Sequence, residues 1–95
     1  MTTKERDLLN DLIRSIHALE EELMGYERKY RLLSDTFIIA FEAGEEPFDE
    51  SWVLDWAGWA GAYQIMRKLQ ARYDQLVKGV QADSHTIAEF VRIMA

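Results

Sequence analysis

The sequence contains no cysteine and a single proline, Pro47. Without cysteine there is no disulfide, no thiol nucleophile and no thiolate zinc site. With one proline, long stretches are free of the residue that most strongly breaks helices. No apolar run approaches the roughly 20 residues that a membrane-crossing helix needs, so no membrane partner is expected. No charged segment followed by an apolar core opens the chain, so no secretory signal is read and the expected location is the cytoplasm. Basic residues are missing from one long segment. Residues 32–56 hold Asp35, Glu42, Glu45, Glu46, Asp49, Glu50 and Asp55 but no Lys or Arg, while the flanking segments nearly balance, so the net charge of −6 is carried there. An acidic chain repels phosphate, which argues against direct nucleic-acid binding. The same charge suits a basic protein partner.

What is present is a heptad pattern. Leu9, Leu12, Ile16, Leu19, Leu23, Tyr26, Tyr30 and Leu33 alternate at spacings of three and four, the seam that sets one helix against another. A second seam runs through Trp52, Trp56, Trp59, Tyr63, Met66, Gln70, Tyr73, Val77 and Val80, with only Gln70 polar. Two such seams joined by a short connection predict an all-α fold, a long antiparallel coiled-coil-like hairpin. The boundaries expected within a single domain, 1–95, are helices over about 3–31, 35–43, 50–78 and 84–94. Thr2 and Glu5 have capping-box spacing, and Ser34 and Asp49 read as N-caps. Leu33 with Ile38, and Phe48 with Val53, are placed as hydrophobic staples. Gly44 suits a left-handed C-cap before Pro47, Gly79 is expected to end the third helix, and Asp83 or Ser84 to begin the fourth.

The segment TFIIAFEA, residues 36–43, is apolar nearly all round at its centre and must be buried on several sides. The last helix carries Ile87, Phe90, Val91 and Met94 on one face and needs a surface to dock on. Hydrophobic residues make up 48% of the chain, more than two seams can bury in a lone hairpin. Self-association into a homodimeric helical bundle is therefore expected.

Candidate sites centre on the connection and the start of the third helix. Trp52, Trp56 and Trp59 on one helical face read either as a binding hot spot, where Trp is enriched, or as core, which the heptad register favours. Gly58 and Gly61, among Ala57, Ala60 and Ala62, leave a face without bulk. Two glycines weaken a helix by roughly 2 kcal/mol relative to Ala, and a closely crossing helix would offset that. Glu45, Glu46 and Glu50 read either as a lure for a basic partner or as capping and solubilising charge. His17 with Glu20 or Glu21, and His85 with Glu89, have helical spacings for two metal ligands, but the Glu-x-x-His pairs of bundle metal sites are absent. No Gly-rich phosphate loop, calcium-loop spacing or nucleophile–base arrangement is present. Neither enzymatic activity nor a cofactor or metal is expected.

The pattern Ser34-x-x-Phe37-x-x-x-Phe41-x-x-Gly44-Glu45, an acidic gap, then Trp56-Ala57 and Tyr63 resembles small uncharacterised helical proteins of prokaryotes found in gene pairs of toxin–antitoxin type. The likeness covers about residues 20–70, with departures at Gly58, Trp59 and Gly61 and after Gly79. It implies an antitoxin-like partner protein, a non-enzymatic protein-binding module. The other reading is a self-associating structural or adaptor subunit.

Overall fold

The two seams do form a hairpin. The computed structural model describes residues 2–84 and 86–94, and all the elements in it are helical: α1 (Thr3–Tyr30), α2 (Ser34–Glu42), a turn of 3-10 helix (Glu50–Trp52) running into α3 (Val53–Ser84), and α4 (Ile87–Met94). α1 opens on the expected capping box, in which the Thr2 hydroxyl accepts from the Glu5 N–H at 3.1 Å and the Glu5 carboxylate accepts from the Thr2 N–H at 3.2 Å. Two orphan amides are thereby satisfied at the end where a carboxylate also suits the helix dipole. α1 closes on Arg31, a non-glycine residue held in the left-handed region at φ 54°, a conformation costing about 1–2 kcal/mol for an L-residue.

α2 starts one residue earlier than expected, and Ser34 is not its cap. The cap position is Leu33, which has no capping side chain. The missing bond comes from α1, where the Glu27 carboxylate accepts from the Ser34 N–H at 2.8 Å. The Ser34 hydroxyl is thus free to accept from the indole N–H of Trp59 at 2.8 Å, within a site where Ser34 is 4% and Trp59 0% exposed. α2 ends as expected. Gly44, at φ 87°, and Glu45 donate back to the carbonyls of Phe41 and Ala40, closing a Schellman turn.

Antiparallel pairing sets Tyr26 and Tyr30 against the Trp-rich start of α3. Phe37 of α2 lies flat on Trp59, centroids 3.8 Å apart at 2°, with the rings of Tyr26 and Tyr30 stacked on Trp59 at 5.7 and 5.6 Å. Ile16, Leu23, Ile38, Ala60, Ala62 and Met66 complete this core. Leu9, Leu12 and Val80 continue the buried seam toward the other end.

Both expected staples fail. Leu33 is 68% exposed, and Phe48 is wholly exposed. Gly79 does not stop α3, and residues 80–83 are helical rather than a turn. Val80 explains this. It is only 5% exposed, and burying a valine contributes about 1.5–3 kcal/mol against the roughly 1 kcal/mol cost of a helical glycine. α4 accordingly starts later than expected, and Thr86 rather than Asp83 or Ser84 caps it by accepting from the Glu89 N–H. Arg6 donates to the Ile93 carbonyl at 3.0 Å and ties α4 to the start of α1.

Removing the Ser34 hydroxyl leaves the Trp59 N–H buried without an acceptor. Ser34→Ala should therefore cost about 1–3 kcal/mol in urea denaturation, although alanine has the higher helix propensity. A neutral or stabilising result would mean that the hydroxyl is not the indole's partner.

Candidate functional site

The connection between α2 and α3 carries the acidic surplus, and its acids divide by side-chain length. Asp49 accepts from both the N–H and the hydroxyl of Ser51 at 2.9 and 2.8 Å, which starts the helical turn and holds its carboxyl below the usual range. Asp55 accepts from Lys29 at 2.5 Å and from the Tyr30 hydroxyl at 2.7 Å; the hydrogen bond from Lys29 does most to lower its pKa. Asp35 accepts from the Tyr63 hydroxyl at 2.8 Å. The three aspartates are structural. Glu42, Glu45, Glu46 and Glu50 are all exposed, and among the described residues none has an ion pair or a side-chain hydrogen bond. Phe48 stands among them fully in solvent, flanked in sequence by Ile39 at 71% and Leu54 at 84% exposure.

The tryptophans take three different positions. Trp59 is the centre of the intrachain core and presents no surface. Trp56 is half-buried edge-on to Phe37 at 5.3 Å, and its indole N–H is buried with no hydrogen-bond partner. Trp52 is half-buried edge-on to Tyr30 at 5.9 Å. The glycines also separate. A Cβ at Gly58 would lie 2.7 Å from the Tyr26 hydroxyl, so a side chain of α1 occupies the space left there, whereas one at Gly61 would meet nothing within 4 Å.

A second feature went unread in the sequence. Where Gln70 interrupts the seam, a groove of about 650 Å³ opens between α1 and α3, lined by Ile13, Ile16, His17, Arg67, Gln70, Ala71, Tyr73 and Asp74. Its signal was the lone polar residue at a core position followed by Ala71, two positions without apolar bulk. Arg67 donates to the Gln70 side-chain carbonyl at 3.3 Å, and no nucleophile–base pair forms among these residues. Among the described residues no three or more His, Asp or Glu side chains gather to hold a metal. His85, read above with Glu89, lies outside the described residues.

Comparison with protein-family models, curated proteins and solved structures finds nothing that matches the chain. Among the described residues no helix is long and apolar enough to cross a membrane.

The tyrosine–aspartate pair predicts pH behaviour at both extremes. Burial, aided by the hydrogen bond to Asp55, pushes the Tyr30 pKa from 10.0 to about 12. The folded state therefore holds the phenolic proton more tightly than the unfolded chain. The stability this contributes is complete below pH 10 and falls as pH rises toward 12. Asp55 has the opposite sign, its contribution being present above the ordinary carboxylate range and lost on acidification. Tyr30→Phe should flatten the alkaline limb of a stability-versus-pH curve and Asp55→Asn the acid limb. Unchanged limbs would show that these groups titrate alike in the folded and unfolded chain.

Proposed function

We propose that the chain is a non-enzymatic protein-binding module, the antitoxin-like partner of a basic toxin protein, and that it works in the cytoplasm. The binding surface is the connection between α2 and α3. The observation that carries this is the division of its acids: the aspartates are committed to folding, while the four glutamates of residues 42–50 have no ion pair or side-chain hydrogen bond among the described residues, and Phe48 between them is exposed. Capping by Asp49 and the hydrogen bonds of Asp35 to Tyr63 and of Asp55 to Lys29 and Tyr30 account for the aspartates but leave the glutamates without a role. Uncommitted carboxylates steer a basic partner into contact, and an aromatic ring in solvent is the type of side chain that anchors an interface once buried. The sequence pattern from Ser34 to Tyr63 supports the same reading by resemblance. Trp52 and Trp56 extend the surface at its edge.

Purification of the chain with the product of the gene adjacent to its own tests this reading. A stoichiometric complex is expected. Glu45→Gln with Glu46→Gln should slow association and reduce the salt dependence of binding, because rim charges act mainly through long-range attraction. Phe48→Ala should speed dissociation by about tenfold or more, the range of an interface hot spot. Failure of both changes to alter binding would leave the connection without this role.

A further inference from the structure

The exposed face of α3 is apolar where none of the described residues covers it. Leu54 is 84% and Ile65 52% exposed, with exposed Ala57 between them, while the opposite face of the helix makes the core. The rod shape leaves the chain with 7058 Å² of surface, against roughly 5,700 Å² for a compact monomer of its mass. A stable interface covers about 800 Å² per partner, and the rod has that surface to offer. Gly61 sits at the middle of this face. The chain gives Gly58 a reason in the Tyr26 hydroxyl but gives Gly61 none.

We infer that a second copy of this chain docks antiparallel on α3, with the two helices crossing at Gly61. The occupant is identified by the order of residues along the face. Glu50, in the 3-10 turn that leads into α3, and Leu54, Ala57, Gly61, Ile65, Lys68 and Arg72 along the helix follow spacings of four, three, four, four, three and four, which read the same in both directions. An antiparallel copy therefore sets Gly61 against Gly61, the small Ala57 against the bulky Ile65, and Leu54 under the aliphatic stem of Lys68. It also brings Glu50 of each copy to Arg72 of the other. Each pairing occurs twice, as a two-fold interface requires, and the charges at both ends are opposite. A parallel copy would set Glu50 against Glu50 and Arg72 against Arg72. A single helix pair is a small interface, so the association is expected to depend on concentration. This interface shares Glu50 with the surface proposed for the basic partner, but not Glu42, Glu45, Glu46 or Phe48.

Sedimentation equilibrium of the full chain tests the proposal. The wild type should be dimeric at high micromolar concentration. Gly61→Glu, whose side chain enters open space in the monomer, should keep its helicity by circular dichroism and sediment as a monomer. Glu50→Arg and Arg72→Glu should each weaken self-association by about tenfold, because two attractive contacts become repulsive. Mixing these two variants should restore association, since the heterodimer has both Arg–Glu contacts again. A wild type that stays monomeric, a Gly61→Glu variant that dimerises as the wild type does, or a mixture no tighter than its separate components would each overturn it.

Discussion

The indole of Trp59 is held by all three of the long and inserted helices at once. It belongs to α3, its face is covered by Phe37 of α2 at 3.8 Å and by the tyrosines of α1, and its N–H reaches Ser34 at the first residue of α2. A fully buried indole without that acceptor would cost about 1–3 kcal/mol, so the hydrogen bond constrains where α2 begins. The rest follows from this position. Glu27 becomes the cap of α2, Arg31 is forced into a left-handed turn to bring Ser34 back over α1, and Phe37 falls onto the indole. With α2 fixed, the connection of residues 43–49 is short and runs in solvent; Glu45, Glu46 and Phe48 lie in it, and Glu42 and Glu50 bound it.

The rod-like outline has consequences of its own. The chain extends 51 Å in one direction and about 20 Å in the others, with a radius of gyration of 17.1 Å against about 12 Å for a compact domain of this length. A rod of two helices buries one stripe of each and leaves the remaining faces to solvent. α4 covers part of one end, yet Ile87 and Val91 stay more than half exposed. Exposed apolar faces on α3 and α4 are thus a consequence of the architecture.

Much of the fold was legible because period is a strong signal. Both seams, the capping box, the Schellman turn and the meeting of Tyr26 and Tyr30 with the tryptophans follow from spacing alone. What was hidden depends on distant partners. Ser34 has the chemistry of an N-cap, but a carboxylate seven residues earlier takes that role and an indole 25 residues later takes the hydroxyl. Gly79 reads as a stop only until Val80 is known to be buried. Phe48 and Val53 have staple spacing, yet Phe48 is wholly and Val53 half exposed. At the candidate site the acids were visible and their division was not, since sequence cannot show that Asp55 is bound by Lys29 and Tyr30 while Glu45 has no ion pair or side-chain hydrogen bond among the described residues. The resemblance to antitoxin-like proteins bears on the partner and not on these contacts.

If Trp59 joins α2 to the hairpin as one unit, α2 cannot open without exposing the indole and the core around it. Native-state hydrogen exchange measures this directly, because each amide reports the free energy of the opening that frees it. The amides of Phe37 and Ile38 should exchange with the same opening free energy as those at the centres of α1 and α3, and should share their denaturant dependence. If α2 exchanged at distinctly lower free energy, with little dependence on denaturant, it would be a peripheral flap, and the central place given to the Trp59 contacts would be contradicted.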